Sequence, residues 1–324
     1  YRRRIADGVA PVEASDPAGH FYATVTLDQL RASTSGDELP AMTIHDAPRF
    51  AYRGAMLDLA RHFLPVETVL AYIDDIASLK LNHLHLHLTD DQGWRIQIDS
   101  WPELTRAGAA TQVGGGGGGF LTKADYRRIQ DHAATRFVTV IPEIDLPGHT
   151  NAALVAYPEL ADDGVAISAY EGVEVGFSSL AIGNERSYEF VADVLGEVAA
   201  MTDGPYLHIG GDECLRTSEQ DFLTFIARAT TIAADTGKRV IGWHEMGRSA
   251  QLPQGTIGQY WNLTTPEAGH AQHVLSFVRQ GGAVILSPGD VAYLDHKYHA
   301  DYDLGLTWAQ GPTTLAASYS WEPT

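Results

Sequence analysis

The run Tyr206-Leu207-His208-Ile209-Gly210-Gly211-Asp212-Glu213 passes, within eight residues, from a short β-rich segment through two glycines to adjacent carboxylates. Polar side chains just beyond an apolar strand are what a parallel α/β barrel requires, because its reactive residues gather at the C-terminal ends of the strands. The same succession recurs outward in both directions. Before it lie Tyr52 to Leu59 with Asp58 and Arg61-His62, His83 to Leu88 with Asp90-Asp91, and Phe137 to Ile144 with Glu143, Asp145 and His149. After it come Arg239 to Trp243 leading into His244-Glu245, Thr256 to Trp261 ending in Tyr260-Trp261, and Ala283 to Leu286 followed by Tyr293 and Asp295. One such cluster reads as a solvated loop charge; seven in succession describe a convergent site.

Helical patterns fill the intervals, as βα units demand. A helix starts at Pro65 and carries Val66, Val69, Leu70, Ile73 and Ile76 on one face. Thr122 with Asp125 three residues on reads as a capping-box start. A further helix carries Tyr188, Val191, Leu195 and Val198, and another carries Phe222, Phe225, Ile226, Ala229 and Ile232 and stops at Gly237. Such a barrel needs about eight strands. The eighth would lie beyond Trp321, while the sequence runs to Thr324. The expected fold is therefore α/β, a (β/α)8 TIM-type barrel over residues 48–324 that lacks its last strand, and the chain is expected to be a piece of a longer protein. Residues 1–47 differ: one helix over Ala18 to Arg31 with a short strand before it is too little for an independent domain, and reads as the tail of a small α/β domain.

Composition narrows the function classes. The 324 residues carry 22 basic and 41 acidic side chains, a formal charge of −19, which repels phosphate backbones and anionic lipid and argues against nucleic acid and membrane partners. No apolar run reaches the ~20 residues of a membrane span. Tyr1-Arg2-Arg3-Arg4 is followed by no apolar stretch of signal-peptide length, and a lone cysteine, Cys214, cannot support an intrachain disulfide. The six-glycine loop Gly114 to Gly119 reads as a surface connection rather than a phosphate cradle, since no Lys-Ser/Thr pair opens a helix behind it.

The Asp212-Glu213 pair carries the sharpest chemistry. Two glycines let the backbone turn tightly or approach a ligand, and neighbouring carboxylates raise the pKa of at least one of them. A carboxyl kept protonated near neutrality is what a general acid needs. Adjacent residues at a strand end point in different directions, so one can protonate a leaving group while the other handles the substrate itself. His83, His85 and His87 alternate with leucine on one strand face. They read either as a metal site or as polar packing beneath the active site. Trp243, Trp261 and Tyr293 at strand ends read either as core or as the walls of a sugar or apolar pocket.

With these motifs in hand, the sequence resembles glycoside hydrolase family 20, the β-N-acetylhexosaminidases. The resemblance is carried by Arg53 to Asp58 with Ala60 to Phe63, His83 to Trp94, Pro142 to Thr150, Val175 to Leu180, His208 to Glu213, Gly242-Trp243, Gln259 to Trp261 and Tyr293 to Asp295, in that order. It implies substrate-assisted catalysis, in which the sugar's 2-acetamido oxygen attacks its own anomeric carbon to give an oxazolinium intermediate. It assigns Glu213 as general acid and then base, Asp212 as the partner of the acetamido N–H, and Tyr293 as the donor to the acetamido oxygen. Trp243 and Trp261 become acetamide-pocket walls, Arg61 and Asp295 hydroxyl binders, and Asp90 and His149 the pair that tunes the acid, with Asp145 and Val175 behind them. The family's last strand supplies a Trp and a Glu that close the pocket. Trp321-Glu322 matches an earlier stretch instead, and Trp308 belongs to the run after the seventh strand.

The resemblance implies a retaining exo-glycosidase that acts, without cofactor or metal, on N-acetylhexosamine-terminated oligosaccharides such as chitin oligomers or glycans. A secreted, extracellular or periplasmic location is expected with it. Two other readings are an inactive or carbohydrate-binding remnant and a metal-dependent hydrolase built on His83, His85 and His87.

Overall fold

The computed structural model describes residues 1–6, 10–34, 39–165 and 167–323. Strands β1 (Arg2–Ile5), β2 (Val12–Glu13) and β3 (Met42–His45) form an antiparallel sheet in the order β2-β1-β3. Its register sets Arg3 between Val12 and Ile44. Helix α1 (Pro17–Ser33) starts where the Asp16 carboxylate accepts the Gly19 N–H, with proline in the first turn. It buries Ala23 and Val25 and sets the Phe21 ring 5.5 Å from Phe137.

Onward in the chain come β4 (Gly54–Asp58), α2 (Val66–Ser78), β5 (His83–His87), the hairpin strands β6 (Thr89–Asp90) and β7 (Gly93–Trp94), α3 (Glu103–Arg106), α4 (Lys123–Thr135) and β8 (Thr139–Glu143). Then follow α5 (Asn151–Ala156), α6 (Glu185–Met201), β9 (Tyr206–His208), α7 (Glu219–Asp235), β10 (Arg239–Trp243), β11 (Ile257–Tyr260), α8 (His270–Arg279), β12 (Ala283–Leu286), α9 (Gly289–Ala292) and α10 (Leu315–Ser320). Seven strands form one sheet in the order β12-β11-β10-β9-β8-β5-β4, and the pairs from β8 to β12 run parallel. This is the α/β architecture of a TIM-type barrel with seven strands; among the described residues no eighth strand joins the sheet.

By contacts the chain divides into two compact units: Tyr1–Leu57 with Leu64–Leu86 and Leu121–Ile141, and Asp58–Phe63 with His87–Phe120 and the chain from Pro142 onward. In the first unit the strands are backed by amphipathic helices: α2 buries Val69, Ile73 and Ile76. Helix α4 opens with the Thr122–Asp125 capping box, both of its hydrogen bonds formed. In the second unit α6 buries Tyr188, Val191, Leu195 and Val198, and α7 buries Phe222, Phe225, Ile226 and Ala229. The buried Arg95 donates to the carbonyls of Leu59, Ala60, Ala109, Thr111 and Gly119, which ties the glycine-rich loop to the turn after β4. Five carbonyl acceptors offset the cost of burying the guanidinium.

Candidate active site

Of the residues that the resemblance assigns to the site, all except the exposed Asp295 are buried or half-buried, and all belong to the second unit; His83 and His85 lie in the first. The Asp212–Glu213 pair gets its place from the backbone before it. Gly210 and Gly211 have φ of +68° and +101°, and a Cβ on Gly210 would overlap the Asp145 carboxylate. The N–H of Gly211 instead donates to Asp145 Oδ1 at 3.1 Å. Glu213 itself has φ of +41°, a left-handed conformation uncommon for a residue with a side chain, and so a point of local strain. The outcome is two neighbours with different surroundings: the Asp212 side chain is 16% exposed and that of Glu213 32%.

A chain of charged groups runs beneath them. Arg61 Nη2 lies 2.7 Å from Asp90 Oδ2, and its Nη1 3.0 Å from Asp58 Oδ2. Asp90 Oδ1 faces His149 Nδ1 at 3.1 Å, while Nε2 of that ring sits 3.6 Å from Asp212 Oδ2 and 3.5 Å from Glu213 Oε2. On the other side Asp90 Oδ2 meets His87 Nε2 at 2.8 Å, and His87 Nδ1 meets Glu143 Oε2 at 2.6 Å. Glu143 Oε1 accepts the Trp243 indole N–H at 2.8 Å.

Burial and charge then set the protonation states. Burial opposes ionisation of Asp90, but Arg61 and His149 outweigh it and hold the carboxyl well below its usual range. Burial likewise opposes charge on His149, yet Asp90 and Asp212 raise it well above an ordinary imidazole. Burial and then Asp212 push Asp145 well above the carboxylate range. Burial, with Glu213 and Glu143 adding to it against His149, lifts Asp212 to about 6. A proton on Asp145 can be shared with Asp212; no other hydrogen bond reaches Asp145 Oδ2, His149 Nε2 or Asp212 Oδ1. Buried polar atoms in that state await a partner.

Aromatic rings surround this corner. The Trp261 N–H reaches Glu245 at 3.0 and 3.2 Å, and burial with the Asp212 charge raises Glu245 to about 8. The Tyr293 ring stands edge-on to Trp308 at 5.0 Å, and burial followed by Asp212 raises its phenol well above the usual value. The Trp308 N–H donates to the exposed Asp295 at 2.8 Å, and its ring lies 6.0 Å from that of Trp261. Val175 is half-buried in the loop whose next residue, Gly176, packs against the Glu213 carbonyl.

Sequence reasoning named Glu143 and Glu245 in the strand-end clusters and His87 as a metal ligand or packing residue, but gave none of them, nor Trp308, a role in the site. Glu143 and Glu245 sit in the strand-end polar clusters and His87 at the end of the alternating histidine strand, and those positions are the signals that mark them. Trp308 carries no such mark; it arrives through the pairing of Leu306 N–H with the Asp295 carbonyl. The strand-β5 histidines divide between roles: His83 stacks on Tyr52 at 4.3 Å and pairs with Asn82, whereas His87 is engaged by two carboxylates. Among the described residues, no cluster of potential metal ligands contains two of those three histidines.

A family model described as glycosyl hydrolase family 20, catalytic domain, matches residues 50–222 and 215–324. The beta-N-acetylhexosaminidase of Cellulomonas fimi is 43% identical over 325 residues, which cover 100% of this chain and 64% of that protein. The N,N'-diacetylchitobiase of Vibrio harveyi is 39% identical, covering 98% of this chain and 46% of the relative. A mutant Streptomyces plicatus beta-hexosaminidase in complex with product (GlcNAc) superposes with a TM-score of 0.96 at 47% identity, covering 100% of this chain and 66% of its own. The GH20 beta-N-acetylhexosaminidase of Streptomyces coelicolor gives 0.94 at 47% identity, with 100% and 67% covered. The chain thus spans less than two thirds of the length of these curated relatives.

Proposed function

The chain belongs to glycosyl hydrolase family 20, and from that premise we propose that it is a retaining exo-β-N-acetylhexosaminidase working by substrate assistance. The observation that carries the reading is the unequal housing of adjacent carboxyls: Glu213 more open, Asp212 more enclosed with Oδ1 still able to accept. Glu213 protonates the glycosidic oxygen. The acetamido oxygen of the same sugar attacks the anomeric carbon as that bond breaks, Asp212 accepts the acetamido N–H, and the Tyr293 hydroxyl donates to the acetamido oxygen. Asp212 thereby balances the positive charge that grows on the forming oxazolinium ring, an electrostatic contribution. Glu213, now ionised, takes a proton from the water that opens the ring, and the two inversions give net retention.

The network beneath supports these roles. The raised His149 keeps a positive charge 3.6 Å from Asp212, held there by Asp90, so Asp212 can ionise in a buried setting. Trp243 and Trp261, each tied by its N–H to a carboxylate, form the pocket walls, and Arg61 and Asp295 receive ring hydroxyls. The product complex of the Streptomyces plicatus enzyme and the name of the Vibrio harveyi relative favour N-acetylglucosamine-ended substrates, chitin oligomers among them. An extracellular or periplasmic setting, where such ends are met, belongs to the same proposal, as does residues 1–47 being the end of a small α/β domain.

The test compares a chromogenic N-acetyl-β-glucosaminide with the matching β-glucoside, which lacks the internal nucleophile. Release from the first only, with the β-anomer of the sugar appearing first by NMR, is expected. Equal rates on both, or an α-anomer product, would overturn the reading.

A further inference from the structure

A second cluster of ligand-type side chains lies beside the carboxylate site and plays no part in the chemistry above. His244 follows Trp243 at the end of β10, in the 3-10 turn His244–Arg248, and is fully buried. His270 and His273 sit one turn apart at the start of α8, on the same helix face. Ring nitrogens of the three lie within 4.8 Å of one another. His244 Nε2 and His270 Nδ1 are 2.5 Å apart, and the His244 and His273 rings are 6.3 Å apart between centroids. His273 Nδ1 is buried and accepts or donates no hydrogen bond.

We propose that His244, His270 and His273 form a binding site for a divalent transition metal ion of the zinc class. Imidazole is the nitrogen ligand such ions prefer, and three imidazoles with an open fourth position make a known type of zinc coordination. The surroundings favour it further. Glu245 Oε2 stands 3.3 Å from His244 Nδ1, which makes no hydrogen bond, while Nε2 of the same ring faces His270. The scaffold is close-packed: a Cβ on Gly247 would overlap the His273 carbonyl, so turn and helix meet backbone to backbone. Arg248, whose charge opposes a cation there, is paired with Glu219 at 2.7 Å. With metal–nitrogen bonds of about 2.0–2.1 Å in a tetrahedral site, His244 and His270 need only separate by less than an ångström to share an ion. Glu245, beside His244, also holds the Trp261 N–H, so the ion would lie near the pocket wall.

The experiment is calorimetric titration of zinc chloride into the full chain and into a His270→Ala/His273→Ala variant, both residues lying outside the proposed catalytic set. The chain should bind about one ion, and the variant should bind at least ~10-fold more weakly at unchanged circular dichroism. Cobalt(II) should give the visible bands of a tetrahedral nitrogen site only with the unsubstituted chain. Absence of binding up to millimolar zinc, or equal binding by the variant, overturns the proposal. Should the double variant unfold, His273→Gln is read by the same two measurements.

Discussion

Asp212 and Glu213 are neighbours in sequence, but their substitution should give different kinetic signatures. Glu213→Gln removes the proton for the leaving group, so turnover of substrates with poor leaving groups should collapse while activated aryl glycosides keep most of their first-step rate. A uniform loss would contradict an acid role. Asp212→Asn should slow every substrate by roughly 10²-fold or more, the cost of one lost electrostatic contact in a transition state. Asp212 also sets a pH dependence. It accepts an N–H as a carboxylate, so kcat/KM should rise with pH through about 6, as the group ionises. Stability moves the other way: a carboxyl whose pKa is raised on folding from 3.8 keeps its proton longer than the unfolded chain does, so the stability it contributes is greatest below 3.8 and is lost as pH rises through about 6. Asp212→Asn should flatten both profiles, and an unaltered acid limb would assign that limb to another group.

At the scale of the elements, the carboxyl pair depends on the turn after β9. Gly210→Ala places a methyl into the Asp145 carboxylate at φ of +68°, and should cost about 1–3 kcal/mol of stability together with most of the activity. Thermal unfolding would check it; a wild-type Tm would contradict the close approach. The strands that carry the site were legible because each is a short apolar run closed by polar residues: Arg239 to Trp243 and Ala283 to Leu286 coincide with β10 and β12. The helices α2, α6 and α7 were legible because their apolar spacing matches the face they bury. Helix α8 was not read although its apolar spacing is helical; Leu275 and Val278 are exposed and Phe277 is buried. The short β3 alternates half-buried Met42 and Ile44 with exposed Thr43 and His45, a pattern only four residues long. Trp308, brought to Tyr293 by a loop pairing, could not be found from periodicity at all.

For the whole molecule, β4 and β12 each pair on one side only among the described residues. Exposed Leu286 and Leu306 lie on β12 and in the loop beyond it, and unpaired strand edges are sites of self-association. A strand covalently appended to pair with β12 should raise Tm and reduce light scattering at high concentration; an unchanged Tm would show that this edge is already satisfied. The formal charge of −19 works against such association at low salt and less so as salt screens it. The central claim is that substrate and enzyme share the nucleophilic step. It is tested most directly by inhibition with an N-acetylglucosamine thiazoline, a stable mimic of the oxazolinium intermediate. Competitive inhibition much tighter than that by N-acetylglucosamine, and weakened in Asp212→Asn, is the predicted result. Inhibition no stronger than by the free sugar, or a covalent glycosyl adduct on a carboxylate of this chain, would contradict it.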